Sequence, residues 1–402
     1  MRIAVVSSGN IPSQLANSIN TVRHADAFLN NGHEVKVFSV LRKKEMKFLK
    51  GINIYNHYNI QILPFDFIKD TTVYFYNNSS ILNKLFSILE TIPLVKIFFN
   101  KSKKFAEKQI SNTIFSQNYD LSYCRSYFAT LHNIDLGINT ILETHAAYPK
   151  KIPQMVELRK KINSKYFKGI VTIHFKIKKR LVDMGFPENK ILVLEDAVQQ
   201  NFNSQKIPTI EELKNKLELP PNKKIITYVG SLKKGKGIGK IIELSKKLKD
   251  RDDVIFHIVG GSQIEIKNIY TKYSPSTNVH FSGFVSGSEI PNCLACADLL
   301  LLLYDVNEKT PVMDFETTSP IKLFEYMSSG KPILATRLPT IEKIVDYKED
   351  FLIYEKKDLI GQVNQIIDNL GDYQQYTQNT KELSNLYTYE KRSQEIISTL
   401  VD

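Results

Sequence analysis

The chain has 402 residues, of which 42% are hydrophobic and 24% are charged. This content supports large apolar cores, excludes a disordered polar chain and predicts two domains. Its 54 basic and 42 acidic side chains give a formal net charge of +12, which predicts an anionic partner: nucleic acid, an anionic membrane face or a nucleotide-sugar.

The cysteine content indicates a reducing compartment, because three cysteines are too few for a disulfide framework. Cys293 and Cys296 form a C-x-x-C on a predicted short helix, without a second pair or a redox-type context. We interpret them as buried structural thiols, the alternative being a metal or redox site.

The N-terminal segment predicts a strand, because its apolar run is too short for a signal peptide and Gly9 interrupts it. No run approaches the ~20 apolar residues that a membrane span needs. We therefore expect a cytoplasmic protein, either free or at the inner face of the cytoplasmic membrane.

Predicted strands and helices alternate through two successive halves. The first half has strands at 2–7, 34–38, 60–63, 121–124, 140–143 and 169–173, with a first helix at 18–31. The second half has strands at 224–229, 254–259, 279–281 and 299–303, a helix at 238–249 and a last helix from about residue 389. Apolar strands separated by helices are typical of a parallel sheet covered on both faces. The prediction is an α/β fold of two doubly wound, Rossmann-like domains.

The polar, proline-containing segment 199–222 is the predicted linker, so the domains are placed at 1–200 and 201–385. Two such sheets joined by a linker are expected to face a cleft, with ligands beyond the carboxyl ends of the strands. The loops of interest then follow Ser7, Cys124, Glu143, Val229, Val259, Phe281 and Leu303.

The segment 318–327 predicts a helix whose start faces a phosphate. Ser319 suits the N-cap and Pro320 the first turn, where a missing N–H costs nothing. The positive helix end and Lys322 could together hold a diphosphate, and Glu325 is spaced to reach a sugar hydroxyl. The alternative is an ordinary capped amphipathic helix.

The loop 230–237 follows a predicted strand and precedes a helix. Its glycines let the backbone approach a ligand, and Lys233, Lys234 and Lys236 add positive charge. It is neither a P-loop nor a dinucleotide fingerprint. A lysine-rich surface turn is the alternative, but combined with the helix start at Ser319 the loop favours a diphosphate clamp.

Polar residues also end strands of the first half. Glu143, Thr144 and His145 end one strand and Arg125 follows another, so all are expected to face the cleft. His145 can accept a proton or donate a hydrogen bond to a polyhydroxylated substrate, and Arg125 can pair with an anion. The alternative is a structural histidine.

The sequence contains no recognised metal-ligand set. The eight histidines are scattered and no Asp-x-Asp follows a strand. We therefore expect neither metal nor cofactor, with lysines and helix N-termini neutralising any leaving diphosphate.

The stretch 82–109 mixes aliphatic and aromatic residues with lysines. Such a basic amphipathic stretch can lie in an anionic membrane interface. The alternative is a pair of core-covering helices broken at Pro93.

Together these motifs resemble a family of bacterial glycosyltransferases, the retaining family-4 group with the GT-B fold, over nearly the whole chain. The resemblance rests on residues 31–35, 143–145, 228–237, 278–285, 319–327 and 330–332.

The resemblance implies a role for each matched position. Lys236 would contact the diphosphate, Glu325 the ribose, and His145 the donor sugar and acceptor; these are the expected catalytic residues. The segment 386–402, with Arg392, would be a helix crossing back to the first domain. The other expected donor-binding residues are Gly230, Ser231, Lys233, Gly260, Phe284, Val285, Thr317, Thr318, Ser319, Pro320, Ile321 and Lys322. The expected acceptor-side residues are Gly9, Asn17, Arg125, Glu143 and His145.

The chain departs from the family pattern at three places. Ser231 stands where many members have arginine, Thr317 replaces the first of a glutamate pair, and 14–18 lacks the usual glycine pair. Phosphate binding is then expected to depend on Lys236, with Lys233 or Lys322 as the second cation.

The resemblance implies a metal-independent, retaining transferase that moves a sugar from a nucleoside-diphosphate sugar, with UDP expected, to a hydroxyl of a surface glycan or lipid-linked precursor. The alternatives are a sugar-nucleotide epimerase of the same fold and a non-catalytic, membrane-associated partner in glycan assembly. Nucleic acid is not expected as a partner, because the chain lacks a recognised reading motif.

Overall fold

The computed structural model describes residues 1–7, 9, 11–41, 51–69, 93–145, 153–203, 208–306, 315, 317, 319–345 and 352–401, with only the backbone for 93–100. The chain divides into two compact units. The first comprises Met1–Leu194 together with Tyr389–Asp402, and the second comprises Glu195–Thr388. The C-terminal segment thus belongs to the unit that contains the N-terminus.

The first unit is built on a parallel seven-stranded sheet in the order β3-β2-β1-β4-β5-β6-β7. Its strands are β1 Arg2–Val6, β2 Glu34–Leu41, β3 Phe65–Lys69, β4 Leu121–Cys124, β5 Thr140–Thr144, β6 Phe167–Thr172 and β7 Ile191–Val193. The central strands β4 and β5 are buried throughout, as expected of parallel strands with both faces of the sheet covered.

The second unit has a parallel six-stranded sheet in the order β10-β9-β8-β11-β12-β13. Its strands are β8 Lys224–Val229, β9 Val254–Val259, β10 Val279–Gly283, β11 Leu299–Leu302, β12 Ile333–Ala335 and β13 Ile353–Tyr354. The strand order reverses between β8 and β11, and in the first sheet between β1 and β4. Ligands of doubly wound sheets bind beyond the carboxyl ends at such switch points.

The helices of the described residues connect the strands. They are α1 Ala16–Asn30, α2 Ile54–Tyr58, α3 Pro93–Ser116, α4 Tyr127–Asp135, α5 Pro153–Lys160, α6 Phe175–Asp183, α7 Ile210–Lys216, α8 Ile238–Lys247, α9 Gln263–Tyr273, α10 Ile290–Ala295, α11 Ile321–Ser329, α12 Pro339–Ile344, α13 Leu359–Asp368, α14 Gln374–Ser384 and α15 Tyr389–Leu400. Among the described residues, none of these helices combines the length and the apolar character that a bilayer crossing needs.

One predicted strand was wrong. Residues 60–63 are not a strand, and the third strand of the sheet is β3, which begins after Pro64. The N–H of Gln61 donates to the Asp26 carboxylate instead of a neighbouring strand, and Ile62 is 79% exposed. The sheet pairing starts where the Pro64 carbonyl accepts from the N–H of Val37, 2.9 Å away.

Candidate functional site

The loops that follow β8 and β9 depend on glycines in the left-handed region. Gly237 has φ 77°, and a Cβ there would stand 2.2 Å from the Leu303 carbonyl oxygen. Gly260 has φ 120°, and its Cβ would stand 2.1 Å from the Gly230 carbonyl oxygen. A side chain at either position would displace backbone, so the ends of β8, β9 and β11 approach one another at backbone distance.

The start of α11 differs from the predicted cap. The helix begins at Ile321, and its N-cap is Pro320, which offers no side-chain hydrogen bond. Ser319 as the N-cap was wrong because its hydroxyl is engaged elsewhere, accepting a 2.9 Å hydrogen bond from the N–H of Asp196. The first turn of α11 therefore keeps N–H groups that no capping side chain satisfies, and these give the helix a positive end.

Two lysine amines lie against one tyrosine ring in the second unit. Lys236, in the loop after β8, has its Nζ 5.5 Å from the ring centroid of Tyr304. Lys322, in the first turn of α11, has its Nζ 5.0 Å from the same centroid and 4.4 Å from that of Tyr228. The lysine-bearing loop and the helix start, distant in sequence, therefore converge.

Both amines are desolvated. Burial, and then the charge of Lys236, holds the pKa of Lys322 well below its ordinary value. Burial, and then Lys233, lowers the pKa of Lys236. The Lys322 Nζ has essentially no exposed surface and no hydrogen-bond partner among the described residues. No acidic residue of the described chain contributes to the pKa shift of either lysine. A bound anion would therefore stabilise the charged forms of both amines.

Three tyrosines that the sequence reasoning missed support this arrangement. Tyr326 on α11 accepts a 2.7 Å hydrogen bond from the N–H of Val229 and donates a 3.2 Å bond to its carbonyl, which ties the helix to the end of β8. Burial raises the pKa of Tyr228 and of Tyr304 far above the ordinary value, so both rings remain neutral phenols. For Tyr228 and Tyr304, the available signal was their position at the carboxyl ends of predicted apolar strands.

The remaining predicted residues of the 230–237 loop and of α11 differ in exposure. Ser231 and Lys233 are exposed, and the Ser231 carbonyl accepts a 2.8 Å hydrogen bond from the Tyr228 hydroxyl. Glu325 is buried on α11, three residues after Lys322. The structure thus brings Lys236, Lys322 and the helix start together and leaves Lys233 towards solvent.

The predicted base-binding residues follow β10. The Gly283 carbonyl accepts a 2.7 Å hydrogen bond from the N–H of Gly260, which joins the ends of β9 and β10. Phe284 is 39% exposed, whereas Val285 is partly buried against the apolar core. Thr317 is buried, and Thr318 lies outside the described residues.

A buried ionic cluster occupies the first unit around Glu143, at the end of β5. Its Oε1 accepts 2.7 Å hydrogen bonds from Arg392 Nη2 on α15 and from His145 Nε2. Its Oε2 lies 3.8 Å from Arg125 Nη1 and 3.7 Å from His24 Nδ1. Glu143 is thereby a positioning group for His145, which is only partly buried.

The electrostatics of this cluster favour the ionised carboxylate. Burial alone raises the pKa of Glu143, but the charges of Arg125, Arg392 and His145 outweigh it, so the pKa lies well below the usual range. Burial lowers the pKa of His24 to about 4, against the opposing effect of Glu143. The imidazole of His24 is therefore neutral near pH 7.

The other predicted acceptor-side residues lie at the ends of β1 and β4. A Cβ on Gly9 would stand 3.0 Å from Asn17 Nδ2, and the Gly9 carbonyl accepts a 3.3 Å hydrogen bond from the Ser39 hydroxyl. Arg125 Nη1 donates a 2.6 Å hydrogen bond to Asn20 Oδ1. Gly9 and Asn17 are therefore neighbours, and Arg125 joins the Glu143 cluster.

The predicted membrane-contact stretch 82–109 lies partly outside the described residues, which resume at Pro93 with α3. Within 101–109, Phe105 is 58% exposed. The exposed lysines of this part are Lys101, Lys104 and Lys108. An exposed phenylalanine among lysines is compatible with the membrane interpretation.

The cysteine interpretation is confirmed: Cys293 and Cys296 are buried free thiols. Burial raises the pKa of Cys293 to about 12 and that of Cys296 to about 11. In the described part of the chain, no cluster of three or more histidine, cysteine or acidic side chains is arranged to hold a metal ion.

Comparison with protein families identifies the second unit. Residues 209–383, which lie within it, match the family described as "Glycosyl transferases group 1". The segment that resembles group 1 glycosyl transferases therefore makes up most of the second unit.

Two curated proteins that resemble the chain are glycosyltransferases by name. A chitobiosyldiphosphodolichol beta-mannosyltransferase of Candida albicans is 22% identical over 331 residues, covering 74% of this chain and 67% of the relative. A putative colanic acid biosynthesis glycosyl transferase of Escherichia coli K12, WcaI, is 31% identical over 96 residues, covering 23% of each chain. With the domain match, these relatives support a transferase, as the sequence predicted.

A solved structure shows the fold shared over the whole chain. Anabaena Alr3699/HepE, solved in complex with UDP and glucose, superposes with a TM-score of 0.66 at 16% identity, covering 100% of this chain and 99% of the other. The chain therefore has two parallel-sheet α/β domains of the GT-B type, and the predicted fold class is confirmed.

Proposed function

We propose that the chain is a retaining, metal-independent glycosyltransferase that uses a UDP-sugar as donor. One observation carries the donor assignment: the amines of Lys236 and Lys322 lie 5.5 Å and 5.0 Å from the Tyr304 ring centroid, at the positive start of α11. Both amines are desolvated, and no acidic residue of the described chain contributes to the pKa shift of either lysine. A pyrophosphate would supply the negative charge that this site lacks.

The choice of UDP rests on the structural neighbour. Alr3699/HepE has been solved with UDP, with UDP-glucose, and with UDP and glucose. In the proposed arrangement Lys236 and the α11 start hold the diphosphate, Glu325 bonds the ribose, and Phe284 and Val285 flank the base. His145, oriented by Glu143, is assigned to the acceptor and donor sugar.

The proposed chemistry needs stabilisation of a leaving group above all. The bond between the sugar C1 and the phosphate oxygen breaks, and UDP leaves with its negative charge held by the lysine amines and the N–H groups of α11. The acceptor hydroxyl forms its bond to C1 on the same face, and its proton passes to a phosphate oxygen of the leaving UDP. Fixed cations replace a divalent metal in this scheme.

The acceptor is proposed from the names of the relatives. One acts on a dolichol-linked diphosphate sugar and the other belongs to colanic acid biosynthesis, by their names. We propose a hydroxyl of a lipid-linked or surface glycan, reached at the inner membrane face. The exposed Phe105 and its neighbouring lysines would contact anionic lipid there.

A thermal-shift screen across UDP, GDP, ADP and CMP tests the donor class. A ligand that binds the folded state raises the unfolding temperature, and at equal concentration the tighter ligand raises it more. We expect UDP to produce the largest shift and CMP none. UDP-sugars should then be consumed with release of UDP when a glycan acceptor is added. Equal shifts for all four nucleotides, or none for UDP, would remove the proposal.

A further inference from the structure

The surroundings of the Lys322 amine contain two unsatisfied polar groups. The Nζ itself and the hydroxyl of Tyr304 are both buried, and neither has a hydrogen-bond partner among the described residues. The Lys322 Nζ lies 5.0 Å from the centroid of the ring that carries this hydroxyl. Buried polar groups normally have hydrogen-bond partners, so these two are suited to bind polar atoms of a ligand.

Charged and ionisable groups face this amine from several elements. Tyr228 comes from β8, Tyr304 from the segment after β11, and Lys236 from the loop after β8. On α11 itself, Tyr326 is hydrogen-bonded to the backbone of Val229. Glu325 is the acid on that helix, and it does not contribute to the Lys322 shift. Neutral phenols and a second amine therefore surround Lys322.

A charged amine is unfavourable in such a place. Burial without a counter-ion costs the ammonium form several kcal/mol, and a neighbouring cation adds to that cost. The neutral amine avoids both penalties. A bound anion with several oxygens favours the ammonium form instead, because it offers hydrogen-bond acceptors to the ammonium and offsets the repulsion from Lys236.

We propose that a nucleoside diphosphate binds this site with the uptake of about one proton, which is taken up by the Lys322 amine. The inference rests on the proposed function, since it takes the diphosphate from there. Lys236 and the α11 start then supply the fixed positive charge that attracts the ligand, and Lys322 becomes charged only when the ligand is present.

Proton uptake fixes the direction of the pH dependence of binding. Free protein carries Lys322 with a lowered pKa, and the bound anion raises that pKa again. Between the pKa of Lys322 in the free protein and its pKa in the complex, the affinity for the nucleotide falls as pH rises, by up to about tenfold per pH unit. Outside that range the affinity does not depend on the titration of Lys322. The ligand does not contribute near pH 8, because a terminal phosphate is fully ionised above its second pKa of about 6.

The test is calorimetric titration with UDP near pH 8, in Tris and in HEPES, whose ionisation enthalpies differ. The dependence of binding enthalpy on buffer gives the number of protons exchanged. Wild type should take up protons on binding, up to about one for each UDP bound. Lys322→Arg, permanently charged, and Lys322→Met, permanently neutral, should both bind UDP with no buffer dependence. Lys247→Ala, an exposed change on α8, should match wild type.

The outcomes separate this inference from the proposed function. UDP binding by wild type without proton exchange overturns the inference alone, and so does undiminished uptake in both Lys322 variants. The second result would assign the proton elsewhere, Lys236 being the other amine with a lowered pKa. No UDP binding by wild type overturns the proposed function, and the inference with it.

Discussion

Arg392 in α15 donates a 2.7 Å hydrogen bond to Glu143 at the end of β5, joining side chains 249 residues apart in the chain. Both side chains are buried. The same carboxylate oxygen accepts from His145. The last helix, through Arg392, and the proposed acceptor-side residue His145 are therefore both hydrogen-bonded to the Glu143 carboxylate in the first unit.

Replacing Glu143 by glutamine should be strongly destabilising. The change leaves Arg392 and Arg125 buried without their counter-charge, and breaking a buried ion pair from one side costs about 3–5 kcal/mol. Urea denaturation near pH 7 measures the loss. The carboxylate's contribution is complete above the unfolded glutamate pKa of about 4.3 and declines as pH falls further, because its folded pKa is lowered.

A surface pair provides the matched control. Arg2 Nε lies 3.1 Å from Glu34 Oε1, with side chains 40% and 66% exposed. Glu34→Gln should change the free energy of unfolding by no more than about 1 kcal/mol. Similar losses for Glu34→Gln and Glu143→Gln would show that the Glu143 cluster does not stabilise the first unit.

Lys322→Met should make the ligand-free protein more stable. It removes a buried amine that has no hydrogen-bond partner among the described residues, which is worth about 1–3 kcal/mol. Thermal or urea unfolding without nucleotide measures the gain, with Lys247→Met expected within about 0.5 kcal/mol of wild type. A destabilised Lys322→Met protein would mean that the amine is satisfied in the folded state.

The gain from Lys322→Met should narrow as pH rises. Burial lowers the folded pKa of Lys322, whereas the unfolded lysine titrates near the ordinary ~10.4. Between those values the unfolded chain binds more protons, so wild-type stability increases with pH. Lys322→Met lacks this pH dependence. The free energies of unfolding of wild type and Lys322→Met, measured between pH 7 and 10, should therefore converge.

Buried histidines predict a loss of stability in mild acid. Burial lowers the pKa of His24 to about 4 and that of His257 to about 3, while unfolded histidine titrates near 6.5. The unfolded chain therefore binds more protons below that pH, and each histidine costs up to about 1.4 kcal/mol per pH unit as pH falls. His257→Gln should make the stability curve between pH 6.5 and 4.5 shallower; an unchanged slope would exclude His257 as a contributor.

Gly260→Ala should damage the loop contact between β8 and β9. Its φ of 120° and the Gly230 carbonyl oxygen, 2.1 Å from the added Cβ, leave no room for a methyl group. A loss of about 2–4 kcal/mol in unfolding free energy is expected from strain and displacement together. Gly371→Ala is the control, because nothing lies within 4 Å of its Cβ position. Equal effects of the two changes would contradict this account.

Much of the sheet architecture was predictable because buried parallel strands are short, largely apolar segments separated by helices. The strands β4, β8 and β9 have the predicted bounds 121–124, 224–229 and 254–259. The error at 60–63 arose because an apolar run also occurs where only one side chain, Leu63, is buried. Periodicity cannot separate those cases within four residues.

The site was predictable in its chemistry but less so in its geometry. Lysines in a loop and beside a helix start indicated anion binding. The burial of Lys322, however, depends on Tyr228 in β8 and on Tyr304, which follows β11. The hydroxyl of Ser319 looked like a cap, but Asp196, distant in sequence, uses it. The partners of Glu143 are likewise set by long-range packing, which local patterns do not encode.

The most direct test of the central claim is the affinity for UDP measured calorimetrically in wild type, Lys236→Ala and Lys247→Ala. A diphosphate held by Lys236 and the α11 start predicts that wild type and Lys247→Ala bind equally. Lys236→Ala should lose about 1.5–3 kcal/mol of binding free energy for UDP, which is a fall in affinity by a factor of roughly 10 to 150, because a charge-assisted contact is removed. Undiminished UDP affinity in Lys236→Ala would contradict the proposed diphosphate site.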